Sequence, residues 1–119
     1  MAQLKTKDGT PKPEPTCYKW ETPSLGFTFE LGGKKQLLAL HSFLSHIEMK
    51  GEEELSFHYT YGVVRVIGRH LETIYGLAKQ HHIGVIRPSE LNDPCRNEVE
   101  VTQIIFKDAK TAAIDSIYP

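Results

Sequence analysis

Residues 55–61 read LSFHYTY, and this stretch determines how the rest of the chain is interpreted. Large apolar side chains at every second position alternate with small or polar ones, which indicates a half-buried β-strand. Gly62 marks a turn or a bulge, and a second apolar run follows over 63–67, so the two segments predict a β-hairpin. Because side chains alternate across a strand, we expect Phe57 to face the core and His58 to face the other side.

Two further elements are predicted before this hairpin. Residues 27–31 alternate between apolar and polar side chains, which indicates a strand that ends at the glycine pair 32–33. Within residues 34–50, apolar side chains recur at intervals of three, four and three, which defines one helical face consisting of Leu37, Leu40, Leu44 and Ile47. Gly51 is a suitable residue to end such a helix, so a helix is favoured. A strand over residues 42–49 is the alternative, because that segment also contains an apolar period of two.

After the hairpin, Gly68 is predicted to begin a second helix, with an apolar face formed by Leu71, Ile74, Tyr75 and Ala78. The adjacent histidines 81–82 are expected in its last turn, where the helix dipole favours a positive imidazole. Residues 83–87 predict a short strand and residues 97–106 a last one, in which a break in the alternation near Gln103 indicates a bulge.

This order of elements predicts an α+β fold. An antiparallel sheet would carry two helices on one face, in the ferredoxin-like β-α-β-β-α-β order with an extra C-terminal strand. Residues 1–16 contain three prolines and few apolar side chains, so we expect a flexible N-terminal tail. Residues 17–119 would then form a single domain.

Composition agrees with one globular domain of 119 residues, with 39% hydrophobic and 24% charged residues and a formal net charge of −1. No apolar run approaches the roughly 20 residues that a membrane span needs, and the N-terminus lacks an apolar signal region. A cytoplasmic protein without a membrane partner is therefore expected. Cys17 and Cys95 are not in a CxxC spacing, which favours two unpaired thiols in a reducing compartment, with a single bridge between them as the alternative.

The six histidines do not form a metal-binding motif in the sequence. His41 and His46 are five residues apart and would diverge by roughly 140° on the predicted helix. No HExxH, GxSxG, P-loop or dinucleotide-binding motif is present, so neither a metal nor a cofactor is expected. The absence of a nucleophile motif makes catalysis the less favoured function.

Charge is segregated along the chain. Residues 63–88 contain four basic side chains and one carboxylate, whereas residues 48–54 and 89–100 each contain four carboxylates and one basic side chain. Such blocks can attract a partner or support self-association. The predicted binding residues are therefore the basic and histidine side chains of this segment, namely Arg65, Arg69, His70, Lys79, His81, His82 and Arg87.

These features favour a small non-catalytic binding or regulatory module that acts through protein–protein contacts, including self-association. A nucleic-acid-binding module that uses residues 65–87 is the alternative. Residues 61–66, which read YGVVRV, partly resemble the RNP1 motif of RNA-recognition modules, matching it at Tyr61, Gly62 and Val64. Val63 and Val66 stand where that motif has the aromatic residues that stack on bases. The resemblance that implies RNA binding is therefore limited to the local pattern of these residues.

Overall fold

The computed structural model describes residues 14–32 and 34–109 and consists mainly of β-strands. The predicted tail over residues 1–16 therefore lies largely outside the described residues. The strands are β1 (Tyr18–Trp20), β2 (Gly26–Gly32), β3 (Lys35–Leu40), β4 (Leu44–Lys50), β5 (Glu54–Tyr59), β6 (Gly62–Arg69), β7 (Ile83–Ile86) and β8 (Glu100–Asp108). One α-helix, α1 (Glu72–Lys79), and a 3-10 turn (His41–Phe43) complete the described elements.

The strands form two four-stranded sheets. The first has the order β1-β7-β2-β3 and the second has the order β4-β5-β6-β8. All neighbours in both sheets are antiparallel except β2 and β7, which are parallel. The chain passes from the first sheet to the second at the 3-10 turn between β3 and β4. The predicted hairpin is confirmed, because β5 and β6 pair from Glu54↔Ile67 to Tyr59↔Gly62.

One core joins the two sheets. Phe27 and Phe29 of β2 contact Phe57 of β5 edge-on, with ring centroids 5.4 and 5.1 Å apart. All three rings are fully buried, so the predicted inward direction of Phe57 is confirmed. His58 on the same strand is only half-buried, as expected for a side chain on the opposite face.

The ferredoxin-like prediction is wrong, because residues 34–50 do not form a helix but β3, the 3-10 turn and β4. The apolar spacing in this segment that resembles a helical face has two other causes. Leu40 lies on the outer face of β3 and is 39% exposed. The β4–β5 register shifts between Leu44 and His46. Because of this shift, the side chains of Leu44 and Ile47 both pack against the core although they are three residues apart in the strand. The alternative prediction of a strand in this segment was the better one.

The second predicted helix is present but shorter. Its apolar face was predicted correctly, since Leu71, Ile74 and Ala78 are buried and Tyr75 packs against the core. The start at Gly68 was wrong, because Gly68 belongs to β6, where it lies against the backbone of β8. The histidines 81–82 follow α1 rather than forming its last turn. The predicted bulge is confirmed, because the β6–β8 register skips a residue between Val101 and Gln103.

Candidate functional site

The predicted arginines are engaged in ion pairs with carboxylates. The guanidinium of Arg65 donates two hydrogen bonds to Glu54, at 3.2 and 2.9 Å. Arg87 lies 3.7 Å from a carboxylate oxygen of Glu30 in the first sheet. These pairs offset the positive charge that the sequence analysis assigned to a binding surface.

Arg69 belongs to a three-residue network around Glu100. Its Nε atom donates to Glu100 Oε1 at 3.1 Å, while Arg96 Nε donates to Glu100 Oε2 at 2.9 Å. Glu100 is only 3% exposed, and the hydrogen bonds from Arg69 and then Arg96 hold the pKa of its carboxyl below the usual range. This network therefore has the character of a structural ion-pair cluster.

The remaining predicted residues lie in three places. His70 adopts a left-handed backbone conformation and has Glu52 and Glu72 within 4 Å of its Nδ1 atom. The Trp20 and His82 rings have centroids 5.6 Å apart. The structure brings two of the predicted residues, Lys79 and His81, together at one cleft between α1 and β4.

This cleft has a volume of about 300 Å³ and is also lined by His41, Ser45, His46 and Tyr75. The ring of His81 stacks on that of His41, with centroids 3.8 Å apart, and Lys79 Nζ lies 5.0 Å from the centre of the Tyr75 ring. The cleft therefore combines aromatic and basic groups.

A serine hydroxyl contacts one of these histidines. Ser24 Oγ lies 3.0 Å from His41 Nε2 and donates its proton to the carbonyl oxygen of His81 at 3.1 Å. A Ser24 hydroxyl that donates there can accept from the Nε2–H tautomer of His41. Burial, together with nearby His81, lowers the pKa of His41, so its ring is neutral near pH 7. With that tautomer, the contact holds Ser24, His41 and the carbonyl oxygen of His81 together.

Cys17 is not a reactive thiolate at neutral pH. Cys17 and Cys95 are both buried thiols. Burial raises the pKa of Cys17 to about 11, and its side chain is 0% exposed. A thiol in this state remains protonated at neutral pH and is inaccessible to a substrate.

An apolar surface lies at the end of the first sheet. Strand β3 pairs with β2 on one side, and no other described strand pairs with its second edge. Leu38 and Leu40 share its outer face and are 63% and 39% exposed. We refer to Leu38 and Leu40 as the β3 surface.

Neither this surface nor one group of polar residues is predicted by the sequence pattern. Leu40 was assigned to a buried helical face, so the β3 surface was not predicted. His46 and His58 face each other across β4 and β5, with ring centroids 4.2 Å apart. The period of two in residues 42–49, which favours a strand, is the sequence signal that could have shown that these two histidines share a face.

Comparison with protein-family models, curated proteins and solved structures finds no match for this chain. In the described parts of the chain, no helix has the length and apolar character needed to cross a bilayer.

Proposed function

We propose that this protein is a non-catalytic binding module that recognises a partner protein through β3. The observation that carries the proposal is the edge of β3 with which no described strand pairs, next to two exposed leucines. An edge strand presents backbone donors and acceptors to which an extended peptide can add as a further strand.

The composition of β3 supports this function. Natural proteins commonly protect edge strands with charged side chains, prolines or bulges. Strand β3 reads KQLLAL, and its single charged residue, Lys35, lies at its first position beside the hairpin turn. The central part of the edge therefore has no such protection.

The β3 surface also indicates what kind of segment would bind. In an added strand, alternate side chains would lie beside Leu38 and Leu40 on the outer face of the sheet. Apolar side chains at those alternate positions would remove the exposed leucine surface from water. The expected ligand is thus an extended segment of a partner protein with apolar residues at every second position.

Selection from a random library of displayed 12-residue peptides tests the proposal. We expect enrichment of peptides with alternating apolar residues, and Leu38→Lys should weaken the binding of a selected peptide by about tenfold or more. The matched control is Leu91→Lys, since Leu91 is 91% exposed but lies in the loop after β7. This control variant should bind as the unmodified chain does.

Three results would contradict recognition of a partner at β3. The first is the absence of any enriched peptide, and the second is an equal loss of binding in the Leu38→Lys and Leu91→Lys variants. The third is a dimer of the chain, detected by sedimentation, that Leu38→Lys dissociates, because β3 would then pair with a second copy.

A further inference from the structure

Strands β4 and β5 place three potential metal ligands on one outer face of the second sheet. The register puts His46 directly opposite His58, and Glu48 is two residues from His46 on the same strand. The intervening Ile47 and its partner Phe57 pack in the core, so the three polar side chains point away from it.

The ligand atoms of these residues converge. Glu48 Oε1 lies 3.0 Å from His46 Nε2 and 3.6 Å from His58 Nε2, and all three atoms lie within 4.8 Å of one another. Zinc bonds of about 2.0–2.1 Å in tetrahedral geometry place neighbouring ligand atoms roughly 3.4 Å apart. The two distances fall on either side of that value. The two imidazole planes are nearly parallel, at 11°, so both rings must rotate for their Nε2 lone pairs to meet at one ion.

The surroundings of the two imidazoles favour ligation. His58 Nε2 is shielded from solvent and makes no hydrogen bond with any described residue. Ser45 Oγ lies 3.1 Å from His46 Nδ1, which orients this ring and leaves Nε2 directed at Glu48. A hydrogen bond to the second ring nitrogen is the usual way in which a ligating histidine is oriented.

We propose that His46, Glu48 and His58 form a zinc site on the outer face of β4 and β5. Two imidazoles and one carboxylate are a ligand set that zinc accepts, and they supply three of its four usual ligands. His46 and Glu48 are each about half exposed, so the fourth position is open to water or to a side chain of a partner.

A second group of residues in the chain provides a comparison. Glu52, His70 and Glu72 also lie within ligand distance of one another, but they supply a single imidazole and all three are exposed. Since imidazole suits zinc better than additional carboxylates do, the His46 group is the site that zinc should occupy first.

Equilibrium dialysis of the full chain against Zn²⁺ alone tests the site. We expect one tightly bound zinc per chain, with affinity lowered about tenfold or more in each of His46→Ala, Glu48→Gln and His58→Ala. His70→Ala is the control that should leave the affinity unchanged. Circular dichroism of each variant confirms that the fold is retained, as expected for side chains outside the core.

A cobalt titration gives a second measurement, which reports the coordination geometry of the bound ion. Tetrahedral coordination of Co²⁺ should produce intense visible absorption in the unmodified chain and in His70→Ala, and this absorption should be lost in His58→Ala. The proposal is overturned if the unmodified chain binds zinc no more tightly than His58→Ala does. It is also overturned if His70→Ala is the variant that loses the ion.

Discussion

Glu100 is a carboxylate almost fully removed from water and shared by two arginines. One of its oxygens accepts from Arg69 and the other from Arg96. Two paired guanidinium groups stabilise a buried carboxylate, and both groups would lose their anionic partner if the negative charge were removed. Arg69, a residue that the sequence placed in a binding surface, therefore serves the β6–β8 pairing.

The pH dependence of stability should reveal this network. The pKa of Glu100 is lowered from an ordinary value of 4.5, so its pairing stabilises the fold above that pH. The stabilisation is lost as the pH falls through the lower pKa of the folded state. Urea denaturation of the unmodified chain should show a falling free energy of unfolding between about pH 5 and pH 3, and Glu100→Gln should show a smaller fall.

The control for this series is Glu98→Gln, which changes an exposed carboxylate in the preceding loop. It should keep the pH profile of the unmodified chain. Parallel profiles for Glu100→Gln and Glu98→Gln would show that the buried network does not govern acid sensitivity.

At the scale of elements, strands with regular alternation could be predicted from the sequence and the β3–β4 segment could not. Residues 55–59 and 27–31 form strands with a period of two, a pattern that predicts a strand directly, whereas residues 60–61 form the hairpin turn. In residues 34–50 the corner at His41–Phe43 and the register shift after Leu44 each interrupt the alternation. These interruptions are set by pairing with distant strands, so the sequence pattern alone resembled a helix.

The same error concealed both proposed sites. On a helix, His41 and His46 diverge, and no local pattern connects His46 with His58 twelve residues later. Only the pairing of β4 with β5 places these two imidazoles side by side. The free edge of β3 depends likewise on sheet order, which is decided by contacts between residues far apart in the sequence.

Alanine substitution of two glycines tests whether residue 68 lies in a paired strand and residue 76 in a helix. A Cβ atom on Gly68 would overlap the carbonyl oxygen of Glu100, whereas a Cβ atom on Gly76 in α1 would meet nothing within 4 Å. Gly68→Ala should therefore lower the free energy of unfolding by about 1–3 kcal/mol. Gly76→Ala should raise it by about 0.5–1 kcal/mol, because alanine favours a helix over glycine.

Chemical denaturation of the two alanine variants measures both changes. Had a helix begun at Gly68, as the sequence predicted, Gly68→Ala would be tolerated. A neutral or stabilising effect of Gly68→Ala would thus argue against the β6–β8 pairing at this position.

At the scale of the whole molecule, two arginines of the basic segment each meet a carboxylate of one acidic segment. Strand β6 lies between β5, which begins at Glu54, and β8, which begins at Glu100. Arg65 pairs with Glu54 on one side, and Arg69 pairs with Glu100 on the other. Charges that are separated along the sequence thus meet as opposite charges on neighbouring strands. This pairing leaves less unpaired positive charge to bind an external anion.

This neutralisation bears directly on the nucleic-acid alternative. We expect fluorescence anisotropy with a labelled single-stranded RNA to show only non-specific binding at physiological salt, with a Kd no tighter than about 10⁻⁶ M. If ion pairing is what masks the arginines, Glu54→Gln should release Arg65 and strengthen binding at low salt. Submicromolar binding by the unmodified chain would refute this expectation, provided that it weakens steeply with salt and disappears when Arg65 and Arg69 are both changed to glutamate. Such a result would mean that RNA phosphates displace Glu54 and Glu100 from their arginines, and the outer face of β6 would then replace β3 as the binding surface.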